Sequence, residues 1–249
     1  MLQVQHLCVN YRSVKALEDV TFKLQSGTLV GLLGSNGAGK STLIKALLGL
    51  IPVRSGEVIY RDVPLKQQRQ QVAYVPQRSQ VDWDYPTTVW NVVMLARTVH
   101  AGWFRSPSRQ SAEIVKESLR RVELLNLRDR PIGSLSGGQQ QRVFLARAIA
   151  QQADLLLLDE PLAAVDKKTE ALIFEIYDEL KAQGKTLLIS CHEWGGILNH
   201  YDQLLLLNQR LLAHGTPKEV MTPANIELAY GIPPQPRHFH EALETTFFC

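Results

Sequence analysis

The chain has 249 residues, 45% apolar and 20% charged, which is enough to bury one large α/β domain and too apolar for a disordered chain. Its net charge is only +3, and no basic run exceeds two residues, so no nucleic-acid partner is expected. No stretch approaches ~18 uninterrupted apolar residues, and Met1 leads into Leu2-Gln3-Val4-Gln5-His6 without a basic start or an apolar run, so neither a membrane span nor a secretory signal is expected.

Residues 2–11 and 14–24 read as strands, followed by the turn-prone Ser26-Gly27. Cys8, Cys191 and Cys249 are widely separated without metal-ligand spacing and read as reduced cytosolic thiols. Residues 28–33 form a short apolar run suited to a buried strand. A glycine-rich loop at 34–39 follows, then a helix at 40–50 with Leu43, Leu47 and Leu50 on one face, stopped by Ile51-Pro52. Residues 56–60 and 71–75 are further strands. From about 86 to 150 the pattern turns helical, with helices at 89–96, 111–123 and 138–150 and loops at 102–107 and 127–135. The strand signal returns at 155–158. A helix at 168–183, a strand at 186–190 and a hairpin pair at 204–207 and 211–214 follow. Pro233, Pro234 and Pro236 and the closing Phe247-Phe248-Cys249 read as a loosely attached tail. Strand, helix and strand in succession predict an α/β fold with a mainly parallel sheet. N-terminal antiparallel strands precede it, and a helical subdomain at about 86–150 is inserted. The expected domain spans 1–225, with a tail at 226–249.

Gly34-Ser35-Asn36-Gly37-Ala38-Gly39-Lys40-Ser41 fits G-x-x-x-x-G-K-[ST], with a strand before it and a helix, opening at Lys40-Ser41-Thr42, after it. Glycines let backbone N–H groups turn inward around a phosphate, and the helix N-terminus faces the same anion. Lys40 adds positive charge near the β- and γ-phosphates, and Ser41 can offer a hydroxyl to Mg²⁺. Leu155-Leu156-Leu157-Leu158 ends in Asp159-Glu160, two carboxylates at a strand's C-terminal end, where open α/β sheets hold ligands. Asp159 is expected to hold Mg²⁺ through water, and Glu160 to act as general base toward the attacking water.

Leu135-Ser136-Gly137-Gly138-Gln139-Gln140-Gln141-Arg142 resembles the LSGGQ signature of ABC ATPases. It is a second helix N-terminus, with Ser136 as a good cap and glycines exposing backbone donors. The likeness to an ABC nucleotide-binding subunit runs over about residues 2–220 and implies a P-loop NTPase core. It places Tyr11 where the family stacks an aromatic on adenine. Gln77 becomes the Q-loop glutamine that senses Mg²⁺ and the attacking water. Asp166 matches the D-loop, and His192 the switch histidine that contacts the γ-phosphate. Glu193 departs from the Asp common after that histidine, and Trp194-Gly195-Gly196 is also less usual.

The resemblance implies a homodimer in which each ATP lies between residues 34–41 of one copy and Ser136, Gly137, Gly138 and Gln139 of the other. It further implies an integral membrane permease, an extracytoplasmic metal-binding protein acting through it, and a place on the cytoplasmic face of the membrane. Gln77-Arg78-Ser79-Gln80-Val81-Asp82-Trp83-Asp84-Tyr85-Pro86, continued by Val89-Trp90-Asn91-Val92-Val93-Met94, is similar to the manganese/zinc/iron-uptake branch. The expected cargo is therefore a divalent transition metal, manganese ahead of zinc or iron. Asp82 and Asp84 are read as loop or capping carboxylates, not as ligands of that metal. The alternatives are another cargo, export, or a soluble ABC ATPase. A single copy of each motif and no long heptad run weigh against the last, and the presence of Lys40, Glu160 and His192 weighs against a subunit that binds ATP without turnover.

Overall fold

The computed structural model describes residues 1–12, 14–98, 107–163, 165–191 and 195–231. These fall into two compact units, Met1–Arg69 with Thr186–Cys249, and Gln70–Lys185. His192, Glu193, Trp194 and the expected tail beyond residue 231 lie outside the described residues.

In the first unit, strands β1 (Leu2–Tyr11) and β2 (Val14–Leu24) pair antiparallel, and β1 also pairs antiparallel with β4 (Ser55–Tyr60). The apolar alternation of β1 shifts register, from Leu2 and Val4 to Leu7 and Val9, all buried. β2 does the same between Leu17 and Val20. A bulge resolves both shifts. His6 and Asp19 each take positive φ, and the ladder slips there, so both halves of each strand keep their apolar side chains on the core face. A short β5 (Val63–Pro64) adds to β4; two residues carry too little pattern to be read from sequence.

The same unit contains β3 (Leu29–Leu33), buried along its whole length. It lies between two parallel neighbours, β8 (Thr186–Ser190) and β9 (Gln203–Asn208). β10 (Arg210–Gly215) folds back antiparallel on β9. Helix α1 (Lys40–Leu47) follows β3. It stops three residues before the expected end at Leu50. Gly49 adopts φ +64, its N–H donates to Ala46 O, and Leu50 N–H donates to Lys45 O. This closing motif satisfies the last carbonyls, and it leaves Leu50 59% exposed instead of on the buried face.

In the second unit, β6 (Val72–Val75) and β7 (Leu155–Asp159) are parallel. Between them in sequence come helices α2 (Val89–Met94), α3 (Arg109–Arg121) and α4 (Gly137–Gln151), and after them α5 (Lys167–Ala182). Each helix starts on a side-chain cap: Thr88, Ser108, Ser136 and Asp166. A cap of this kind contributes about 1 kcal/mol. The Arg97 guanidinium, 6% exposed, donates to Ala150 O and Gln152 Oε1 and ties down the end of α4.

Two helices near the C-terminus, α6 (Pro217–Val220) and α7 (Pro223–Tyr230), go beyond the elements expected from sequence. Their signal is nonetheless in the chain: Thr216 and Thr222 as caps, proline at the first helical position, and Glu219 closing a capping box. The boundary expected after residue 225 falls inside α7, whose Ile226 and Ala229 are buried.

Candidate active site

In the first unit, β3 delivers the chain into the loop at Gly34, which is buried with φ +155. A Cβ there would collide with Leu207 O. Gly37 has φ +84, but a Cβ on it would meet nothing within 4 Å, so that side of the loop is open. Ala38 N–H donates to Ser35 O, and Ala38 O accepts from Gln209 N–H, fixing the loop against the β9–β10 turn. Lys40 begins α1, is 5% exposed, and donates from Nζ to Gly34 O at 2.7 Å and Ser35 O at 3.1 Å. Ser41 and Thr42 complete the first turn, which holds no acidic residue. A lysine at the positive end of a helix is electrostatically unfavourable unless an anion neutralises both, so the loop suits a phosphate. Gly34→Ala is expected to lower the thermal midpoint more than Gly37→Ala. Both incur backbone strain of about 1–3 kcal/mol, but only the first also collides with a strand carbonyl. Differential scanning calorimetry of the two variants checks the order.

In the second unit, Asp159 ends β7 and is fully buried. Glu160 follows in the left-handed region, φ +52, a conformation that costs a non-glycine residue about 1–3 kcal/mol and clusters at functional sites. The parallel pairing of β6 and β7 brings Gln77 to it, so that Gln77 Nε2–H donates to Glu160 Oε2 at 2.6 Å across 83 positions of sequence. Burial and the nearby Asp159 charge push the Tyr74 hydroxyl up to about 12, so it stays protonated beside the acid pair. The oxygen donors Ser41 and Asp159 are hard ligands of the kind Mg²⁺ takes.

Ser136 is an exposed cap of α4. Its Oγ accepts from Gln139 N–H, and its own N–H donates to Gln139 Oε1, so the Gln139 amide is engaged in shaping the turn. Asp166 caps α5. Oδ1 accepts from Thr169 N–H and Oδ2 from Thr169 Oγ1, both at 2.9 Å, and these bonds hold its carboxyl below the usual range. The same pair borders the signature turn: a Cβ on Gly138 would lie 3.6 Å from Thr169 Oγ1 and 3.9 Å from Asp166 Oδ2. Tyr11, at the end of β1, is 48% exposed. His192 lies outside the described residues. Asp82 Oδ1 accepts from Asp84 N–H in a loop turn, and among the described residues no three His, Cys, Asp or Glu side chains form a group that could hold a metal ion. No described helix is long and apolar enough to cross a membrane. Two residues that sequence reasoning left without a role, Arg78 and Gln140, are joined by a forked hydrogen bond.

A G-x-x-x-x-G-K-[ST] loop before a helix in one unit, and an acid pair at a strand end with a glutamine on the second acid in the other, are each elements that nucleoside-triphosphate hydrolases use. A family model described as ABC transporter matches residues 17–163. The chain belongs to the ABC transporter family and is an ATPase of that family. It is 41% identical over 233 residues to the manganese transport system ATP-binding protein MntB of Listeria monocytogenes, covering 94% of this chain and 97% of that one. It is 44% identical over 230 residues to the zinc transport system ATP-binding protein TroB of Treponema pallidum, covering 92% of this chain and 86% of that one. Among solved structures, a metal-chelate type ABC transporter in an inward-facing conformation matches with a TM-score of 0.80 and 28% identity, over 93% of this chain and 89% of that one.

Proposed function

We propose that this ATPase powers uptake of a divalent transition metal, manganese ahead of zinc or iron, as the nucleotide-binding subunit of an ABC importer. The observation that carries the cargo is the likeness, over nearly the full length, to ATP-binding proteins named for manganese and zinc transport. Residues 34–42 hold the triphosphate through backbone N–H groups, Lys40 and the α1 terminus. Tyr11 stacks on the adenine. Ser41 and Asp159, with Gln77, would hold Mg²⁺, which would neutralise charge on the phosphates. Glu160 accepts the proton of the water that attacks the γ-phosphorus, and Gln77, bonded to Glu160 Oε2, orients both. His192 meets the γ-phosphate.

Two copies meet head to tail, so that Ser136, Gly137, Gly138 and Gln139 of one close over the nucleotide held by the other, with Asp166 beside them. A triphosphate carries about four negative charges, and two helix N-termini neutralise it from opposite sides. ATP thus favours the closed pair, and loss of the γ-phosphate favours the open one. The pair sits on the cytoplasmic face of a permease, which receives its metal from an extracytoplasmic binding protein. Because the transported ion never touches this subunit, its identity is tested in cells. Deletion of the subunit is expected to abolish high-affinity manganese accumulation, measured by elemental analysis and restored by the wild-type chain but not by Glu160→Gln. Unchanged accumulation of manganese, zinc and iron would overturn the cargo assignment.

A further inference from the structure

We propose that Arg78 is a positioning residue that couples the Gln77–Glu160 contact to the signature turn at Ser136, Gly137 and Gly138. The inference rests on the head-to-tail reading above. Gln77 and Arg78 are neighbours that reach in different directions: Gln77 donates to Glu160 Oε2, while Arg78 Nε and one terminal nitrogen donate to Gln140 Oε1 at 3.2 and 3.0 Å. Gln140 lies in the first turn of α4 and is 3% exposed. Its Nε2 donates to Ile132 O, so its carbonyl end is held facing Arg78.

The guanidinium also lies against the turn itself. A Cβ on Gly137 would come within 3.1 Å of Arg78 Nη1, so glycine at this position lets the two approach. Trp83 fixes the other side. Its Nε1–H donates to Arg78 O at 3.0 Å, its ring lies 5.9 Å from the guanidinium carbon, and it packs edge-on to Phe144 of α4 at 5.4 Å. The 77–83 loop is thereby held to α4 at two places one turn apart.

A cation at the N-terminus of a helix does not stabilise that helix, so this arrangement is poorly explained as a device for folding α4. It makes sense if the turn must be held toward a phosphate and must move when Gln77 moves. A shift of Gln77 on loss of the γ-phosphate then pulls Gln140, and the turn that covers the partner's nucleotide tilts with it. Glu160 and the nucleotide face of the opposite copy are linked through one side chain, and the fork gives the link direction as well as strength.

The test uses the full chain in the Glu160→Gln background, with association read by light scattering as ATP is raised and monomer binding read with a fluorescent ATP analogue. Arg78→Ala is expected to raise the ATP concentration for half-association by about tenfold or more, the size expected when a charged hydrogen bond is lost. Monomer affinity for ATP should stay unchanged, while the thermal midpoint falls modestly because the buried Gln140 Oε1 loses its donors, and the assays are run well below it. Arg78→Lys, with a single ammonium nitrogen in place of the planar fork, should recover part of the loss. Gln140→Met should reproduce it, with the double variant no worse than either single one. Unchanged association in Arg78→Ala, additive losses in the double variant, or a parallel fall in monomer affinity would overturn the coupling role. If the Glu160→Gln parent itself fails to associate with ATP, the head-to-tail reading falls, and this inference falls with it.

Discussion

Glu160→Gln is expected to reduce ATP turnover by at least ~100-fold, the range for loss of a general base, while nucleotide remains bound and the chains associate. The substitution keeps the shape and the hydrogen bond from Gln77 Nε2, because the new amide still offers an oxygen, but it removes the basic site that takes the water's proton. The strained φ of +52 stays as well, so the fold should be undisturbed. The expected signature is therefore a split: a collapsed kcat with ATP affinity equal to or tighter than wild type, and a stable dimer on gel filtration with ATP but not with ADP. A variant that still turned over ATP at near the native rate would remove Glu160 from the chemistry.

Lys40→Ala should act on binding instead. In the native chain the side chain is buried, and its ammonium is held over the loop by Gly34 O and Ser35 O. With ATP it would exchange these neutral carbonyls for phosphate oxygens, and charged hydrogen bonds of this type are worth about 1.5–3 kcal/mol. Removing it should weaken ATP binding by roughly 10- to 100-fold, read by fluorescent-nucleotide titration. Equal affinity in the variant would contradict the phosphate assignment. Because the same two carbonyls lose their donor, a modest fall in thermal midpoint accompanies the loss, and the titration is done well below it.

Much of this was legible in the sequence, and for identifiable reasons. The runs at 29–33 and 155–158 became fully buried parallel strands because uninterrupted apolar residues are needed where both faces of a sheet are covered. Ser136 caps a helix, as its residue type suggests, because a short side chain with an oxygen acceptor satisfies the first N–H groups; the cap made by Asp166 follows the same chemistry but is not one read from the sequence. Leu50 misled because helical periodicity continues through a residue that the Gly49 turn takes out of the helix. The bulges at His6 and Asp19 are visible in the apolar spacing only once both strands are aligned.

The site divides the same way. The phosphate loop is local, so its glycines, lysine and serine announce themselves in one short run of consecutive residues. The bond between Gln77 and Glu160 spans 83 positions, and no periodicity encodes it; the strand-end position named Glu160, family likeness named Gln77, and strand pairing supplies the contact. The fork from Arg78 to Gln140 spans 62 and had no such likeness to expose it. The left-handed backbone at Glu160 is a tertiary consequence that its residue type does not advertise.

The head-to-tail clamp is tested most directly by mixing two defective chains, both in the Glu160→Gln background. One carries Lys40→Ala and holds the triphosphate weakly; the other carries Ser136→Glu and presents a repelling carboxylate at the signature turn. Light scattering should show that neither associates alone at an ATP concentration that fills the intact loop but leaves the Lys40→Ala loop largely empty. Mixed, the intact loop of one and the intact turn of the other should form a heterodimer with one nucleotide enclosed. Failure of the mixture to associate, or full association of the Ser136→Glu chain by itself, would contradict the clamp.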